Sequence, residues 1–350
     1  MFSLDNQRFI KSLDKKNLAS VIEQWPNYSL KILEKAQKEL SIPQNWVNKG
    51  KNVCFYKIIV NGMGGSGIVG DVAKLVANPR LPFIVFKNNK IDSVLDENTL
   101  FIPISFSGNT NEVLICLKMA LSKKAKIFII TSNGKLLKLA KTKKIPFFQI
   151  KHPGPPRLAL GPQLVPLLIL LEKLHLFQSN HLIPVLKKNY QVNKKFSPPV
   201  LSKKNLAKQI AFTLFNYLPI IATSSKEKVL GERWMTQFHE NSKNFAFNCQ
   251  WPEIFHNLVE ANLPQSIKEK LFFIILSSKN ENYIKKLTFS FREKQISYLT
   301  IIGQGKNYLE KIFYLITLGD WVSYYLAILN NVDPTPVKHI ERLKKLDYRI

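Results

Sequence analysis

Residues 3–40 carry apolar side chains at helical spacing, Phe9 and Leu13 and then Leu30, Leu33 and Leu40, with an interruption at Trp25-Pro26-Asn27. The spacing predicts two opening helices separated at that proline. From Tyr56 the texture changes to short apolar runs, KIIVN, LPFIVF, LFIPISF, KIFIITS and IPFFQI, with helical stretches between them. A second series follows in LPIIATS (Leu218 to Ser224), LFFIILSS (Leu271 to Ser278) and ISYLTIIG (Ile296 to Gly303). Strand runs alternating with helices predict parallel sheets flanked by helices. The fold class is therefore α/β, with two doubly wound domains of similar build. The stretch NKKFSPPVLSKKN (Asn193 to Asn205) is polar, contains two prolines and reads as a linker. It sets the boundary near 180–205 and the domains at 1–190 and 191–350. A long amphipathic pattern covers Tyr308 to Leu329, Pro334 and Pro336 stop it, and HIERLKKL forms a short last helix.

A length of 350 residues fits two domains, and 45% hydrophobic with 11% aromatic content excludes wholesale disorder. The longest apolar run, Leu164 to Leu171, ends at Glu172 and Lys173. It falls short of the ~20 residues that span a bilayer, so no membrane partner is expected. Cys54, Cys116 and Cys249 lie far apart in no metal-ligand spacing, and nothing at the N-terminus reads as a signal peptide. A reduced, cytoplasmic protein is expected. Lys+Arg 51 against Asp+Glu 24 leaves a net charge of +27. The lysines are scattered, several of them in pairs, and the only arginines are Arg8, Arg80, Arg157, Arg233, Arg292, Arg342 and Arg349. Solvated helix faces account for this distribution better than a nucleic-acid surface does, since arginine is the better bidentate phosphate ligand. The charge raises the local concentration of small anions without selecting among them.

The most informative stretch is Asn61 to Asp71, NGMGGSGIVGD, between an expected strand and an expected helix. Glycines there permit a tight turn and close backbone approach, and the helix start offers free N–H groups to a phosphate. The string also satisfies GxGxxG. A dinucleotide site requires an acid about 20 residues on, yet LPFIVF is followed by Lys87, Asn88 and Asn89. A second loop, SFSGNTNEV (Ser105 to Val113), gathers the hydroxyls of Ser105, Ser107 and Thr110 around Gly108. Each hydroxyl alone reads as an ordinary helix cap; two such loops at the ends of successive strands read as a phosphate cradle.

GMGGSG followed by SFSGNT resembles the sugar isomerase (SIS) domain, whose members bind phosphorylated sugars. Farther on, GERWMTQFHENSKNFAF (Gly231 to Phe247), PEIFHN (Pro252 to Asn257) and DPTPVKHIERLKKL resemble one subgroup, the bifunctional phosphoglucose/phosphomannose isomerases. The resemblance runs from about residue 56 to the end. It implies two SIS domains that interconvert fructose 6-phosphate with glucose 6-phosphate and mannose 6-phosphate without metal or cofactor. By the same resemblance Glu240 is the catalytic base, His256 opens the sugar ring, Arg157 stands beside the substrate, and Lys344, with Arg342 and Lys345 on the same short helix, is a second proton-transfer partner. Gly65, Ser66, Ser105, Ser107 and Thr110 would hold the phosphate, and Gly64 and Thr335 would contact the substrate. The histidine reaches the site from a neighbouring subunit in this family, which implies a homodimer.

The roles make chemical sense. Aldose–ketose interconversion moves a proton between C2 and C1 through an enediolate, so one carboxylate must accept and return it; Glu240 is expected in the N-terminal region of a helix. Ring opening suits a group that titrates near neutrality, and a fixed guanidinium stabilises the anionic enediolate. Singly, Glu240 also reads as a helix-terminal acid, His256 as a partly buried core histidine and Arg157 as a loop cation. The sequence departs from the pattern in one place: the family's usual NHNE is Phe255-His256-Asn257-Leu258 here. That leaves a non-catalytic sugar-phosphate-binding SIS regulator, or an isomerase for another phosphosugar, as alternatives.

Overall fold

The computed structural model describes residues 4–77 and 79–345. The chain forms two compact units, one Gln24–Tyr190 and the other made of the chain up to Glu23 together with the chain from Gln191. The opening residues thus group with the second half of the sequence, not with the 1–190 segment that contains them.

Helix α1 (Gln7–Leu13) and helix α2 (Leu18–Glu39) open the chain. The break falls at Asp14 to Asn17, and Pro26 lies inside α2, contrary to the expected division at Trp25-Pro26-Asn27. The reason is capping: Asp14 Oδ1 accepts the Leu18 N–H at 2.6 Å and Oδ2 the Ala19 N–H at 3.0 Å. Two satisfied N-terminal donors favour a start there, and the buried Ile22, Trp25 and Leu33 hold the helix through the proline.

The unit Gln24–Tyr190 contains β1 (Lys57–Asn61), α3 (Gly65–Ala77), β2 (Phe83–Phe86), β3 (Thr99–Ser105), α4 (Asn111–Ser122), β4 (Lys126–Ile127), β5 (Ile129–Thr131), α5 (Gly134–Thr142), β6 (Phe147–Gln149) and α6 (Leu160–Lys173). Its parallel sheet runs β2-β1-β3-β5-β6, with β4 also paired to β3. All seven residues of β3 are buried, as a central strand covered on both faces demands. Strand order reverses between β1 and β3, and both polar loops follow the carboxyl ends of those two strands.

Helix α7 (Leu182–Phe196) leads into the other unit. There follow α8 (Leu206–Leu214), β7 (Leu218–Ser224), α9 (Lys228–Gln237), β8 (Phe247–Trp251), α10 (Gln265–Lys268), β9 (Leu271–Ser277), α11 (Asn282–Glu293), β10 (Tyr298–Ile302), α12 (Tyr308–Leu329) and α13 (Lys338–Lys345). The sheet is again parallel, in the order β10-β9-β7-β8. Strand β8 escaped the sequence pattern because it is an edge strand, paired with β7 alone, and its FNCQW carries polar residues.

Two further expectations change. Asn193 to Asn205 is not a solvated linker: Asn193 and Asn205 are both fully buried. Asn193 Oδ1 accepts the Trp321 indole N–H at 2.9 Å, and Asn205 donates to the Phe196 carbonyl at 3.0 Å while capping α8 through the Lys208 N–H. The asparagines at its two ends serve buried partners, an indole for Asn193 and backbone for Asn205, which composition alone does not reveal. Nor is α12 amphipathic, since Ile312 to Leu329 are buried without interruption. The helix is long and apolar enough to cross a membrane, yet its stretch Ile312 to Leu329 is buried within the protein. Its polar positions point inward and are paired: Asp320 accepts from Arg233 at 2.8 and 3.0 Å and from Gln237 at 2.8 Å, and Ser323 accepts from Asn241 at 2.9 Å.

Candidate active site

The reversal between β1 and β3 is where open parallel sheets bind ligands. After β1 the chain turns through Gly64, whose φ is +50°, and enters α3 at Gly65. A Cβ on Gly65 would come within 3.3 Å of Arg157 Cα. A glycine lets the loop lie this close to the 3-10 turn Pro156–Leu158 without crowding, so the Gly-rich loop and Arg157 are neighbours although far apart in sequence. Arg157 is only 4% exposed. Ser66 donates to Gln163 Oε1 on α6 at 2.8 Å, which commits its proton inward and leaves its oxygen as an acceptor.

The second loop is held from within. Ser105 is buried, its Oγ lies 2.9 Å from Thr110 Oγ1, and it accepts the Gly108 N–H at 3.1 Å. Thr131 donates to the Ser105 carbonyl at 2.7 Å, and the Leu136 N–H donates to the Gly108 carbonyl at 2.9 Å. Gly108 has φ +67°, and a Cβ there would meet the Asn133 carbonyl oxygen at 1.7 Å, so the turn accepts no other residue unchanged. Thr110 is the N-cap of α4 but its side chain caps nothing. Its hydroxyl, that of exposed Ser107 and the first N–H groups of α4 therefore form a donor-rich mouth suited to a phosphate. At the end of β2, where a dinucleotide site needs an acid, Lys87 instead pairs with Asp71 at 2.6 Å.

One residue near this loop was not singled out in the sequence. His152 lies edge-on to Tyr28 (centroids 5.4 Å apart) and Phe106 (6.1 Å), with both ring nitrogens buried and without a hydrogen-bond partner. Burial pushes its pKa down from 6.5 to about 4. Between those values the unfolded chain binds the proton and the folded chain does not. Its contribution to stability is thus complete above pH 6.5 and is lost as the pH falls toward 4. Urea melts at pH 7 and pH 5 are expected to show a smaller loss for His152→Phe than for the wild type; parallel losses would remove the imidazole from the account.

In the other unit Glu240 lies in a five-residue π turn, Phe238–Ser242, that continues α9 at its carboxyl end. The expected position near a helix N-terminus is corrected, and an N-terminal dipole does not act on this carboxylate. A π turn widens the helical ladder and recurs at functional sites. Here Arg233, Gln237 and Asn241, at spacing i, i+4, i+8, all bond to α12, while Ser242 donates to the Phe238 carbonyl at 2.7 Å. The motif around Glu240 is thus chiefly an anchor, and half-buried Glu240 stands off the anchored face. His256 ends the 3-10 turn Glu253–His256 after β8 and is exposed. Its changed neighbour Phe255 stacks on Tyr283, rings 5.8 Å apart, so the apolar substitution fills a packing position. Thr335 lies in the loop after α12, its N–H donating to Asp333 at 2.9 Å, and Lys344 is exposed on α13.

The strand-order reversal of the second sheet, between β7 and β9, is built differently. A cavity of about 470 Å³ opens there, but Glu227, 3% exposed, turns its carboxylate onto the end of β9. It accepts the Ser278 N–H at 3.1 Å, the Ser278 hydroxyl, and the Tyr308 hydroxyl at 3.2 Å. An internal anion already uses donors of the kind that the first sheet leaves open.

The profile of the bacterial phospho-glucose isomerase C-terminal SIS domain matches residues 203–346. The chain is 35% identical over 323 residues to a bifunctional phosphoglucose/phosphomannose isomerase of Caldicellulosiruptor bescii, covering 89% of this chain and 95% of that protein. It is 32% identical to the enzyme of the same name from Aquifex aeolicus, covering 86% and 93%. Among solved structures it resembles a glucose-6-phosphate isomerase like protein from Thermus thermophilus, with a TM-score of 0.64 and 17% identity over 98% of this chain and 99% of that one. At that identity the likeness speaks for the fold.

Proposed function

The chain belongs to the bifunctional phosphoglucose/phosphomannose isomerase family, and from that premise we propose how its residues divide the reaction. The protein is an aldose–ketose isomerase of SIS fold that acts on phosphorylated sugars, interconverting fructose 6-phosphate with glucose 6-phosphate and mannose 6-phosphate. The phosphate is bound by Gly65, Ser105, Ser107 and Thr110 with the free N–H groups of α4, and by Ser66 once its hydroxyl turns from Gln163 to the phosphate, Gly64 leaving room for the sugar. The observation that carries this assignment is that both loops follow adjacent strands at the order reversal of one sheet, with Arg157 beside the first of them.

The closed sugar opens when its anomeric hydroxyl loses a proton and its ring oxygen gains one, an exchange assigned to the partner subunit's His256 together with Lys344. Glu240 then removes the C2 proton of the aldose. The resulting enediolate carries negative charge next to the Arg157 guanidinium, which stabilises it more than the neutral carbonyl form. Protonated Glu240 returns its proton to C1, the hydroxyl proton passes from O2 to O1, and the ketose results. Rotation about C2–C3 in the intermediate presents either face to Glu240, which accounts for acceptance of both C2 epimers. Thr335 holds the sugar during that rotation. The exposure of His256 on its own chain suits service to a second copy, and we assign the enzyme to the cytoplasm as a homodimer.

The test is a coupled assay of the purified protein with glucose 6-phosphate and mannose 6-phosphate in separate reactions. Turnover of both is expected. Fructose 6-phosphate binding without turnover of either would sink the proposal in favour of a non-catalytic sugar-phosphate binder, which whole-chain kinship to isomerases disfavours.

A further inference from the structure

Lys243 follows the π turn directly and has a left-handed backbone, φ 59°. Its ammonium donates to the carbonyl of Glu240, and also to the carbonyl of Pro336 at 2.8 Å. Pro336 adjoins Thr335, and two residues on begins α13, which carries Lys344. Asn330 supplies a second tie, donating to the Ser242 carbonyl at 2.9 Å and to Asn244. The loop that ends α12 and the turn that presents Glu240 are therefore laced together at both ends of residues 330–336. Nothing else in the mechanism uses Lys243, although it is an exposed cation on a chain with many others.

From this double hydrogen bond we infer that Lys243 is a positioning residue that sets Glu240 against the Thr335 segment, and so sets how evenly the carboxylate meets the two faces of the intermediate. The inference rests on the proposed roles of Glu240 and Thr335. Its physical basis is that proton transfer depends steeply on distance and angle, so that a shift of about 1 Å costs on the order of 100-fold in rate. An ammonium with two carbonyl acceptors holds such a geometry better than an apolar side chain of similar length. Arginine, with donors at a similar reach, preserves the bridge.

Lys243→Met and Lys243→Arg are compared with wild type for kcat, KM and the ratio of glucose 6-phosphate to mannose 6-phosphate formed from fructose 6-phosphate. Lys243→Met is expected to lose at least tenfold in kcat with KM within about threefold, and to shift the product ratio at least threefold, while Lys243→Arg restores most of both. A lowered melting temperature with wild-type kcat and ratio would make Lys243 merely structural and overturn the inference. A pure rise in KM would do the same. Glu240→Gln, assayed beside them, separates the failures: if that variant still turns over, the role of Glu240 is wrong, whereas an inactive Glu240→Gln beside an unaffected Lys243→Met condemns only the positioning role.

Discussion

Glu240→Gln is expected to lower kcat with either aldose phosphate by about 10²–10⁴ or more, because a single carboxylate carries the proton in both directions. Binding of fructose 6-phosphate should persist, since the proposed phosphate contacts lie on the loops after β1 and β3. The companion variant His256→Ala removes the ring-opening partner, so it is expected to be slow with closed sugars. Mixing the two impaired variants after dissociation and reassociation makes the outcome sharper. If His256 serves the partner subunit, one of the two sites in a mixed dimer regains both a native Glu240 and a native His256. Activity should reappear, up to about half that of wild type per mixed dimer, as one site in two is whole. No recovery in a mixture shown to contain mixed dimers would place His256 in the site of its own chain.

The second large effect is on stability. Asp320→Ala leaves the Arg233 guanidinium buried without its carboxylate and removes the acceptor of Gln237. Breaking a buried pair from one side costs about 3–5 kcal/mol, and a drop in melting temperature on the order of 10 °C is expected. Because Arg233 and Gln237 precede the π turn on the same helix, the loss should reach Glu240 and lower kcat among molecules that remain folded. The double variant Arg233→Met/Asp320→Leu is the control, since replacing both partners by apolar groups is often neutral. It should recover most of the melting temperature. If it melts as low as Asp320→Ala, the cost is one of shape and not of charge.

The fold was legible where pattern and burial agree. The strands KIIVN, LFIPIS and LFFIILS are internal to their sheets, almost wholly buried, and each carries an unbroken apolar run, so the sequence displays them. Edge strand β8 and core helix α12 misled for opposite reasons: one carries polar residues in a sheet, the other hides polar residues in a core where Asp320 and Ser323 have partners. The site was legible through its motifs, but their meaning was not. Glu240 stood out as chemistry while Arg233, Gln237 and Asn241 stood only as spacing, because a polar residue that bonds to a helix 80 positions away leaves no local mark. His152 and Lys243 left none either: the burial of one and the two carbonyl bonds of the other exist only in three dimensions.

Asp14, which caps α2, also accepts a hydrogen bond from Tyr324 at 3.0 Å, 310 residues later in the chain. Asp5 likewise binds Lys208 and Ser202, each at 2.9 Å. The opening segment is therefore completed by partners that a ribosome makes much later. At about 5–20 residues per second, Tyr324 emerges some 15–60 s after Asp14. During that interval the contiguous unit Gln24–Tyr190 has all its strands and can condense, while the opening segment and the apolar faces of α8 and α9 await α12. The segment that holds Asp5 and Asp14 is thus among the last to be fixed, since its partners lie as far as 310 residues on. The half of the chain that carries Glu240 is therefore expected to stay open longer during synthesis than the contiguous half.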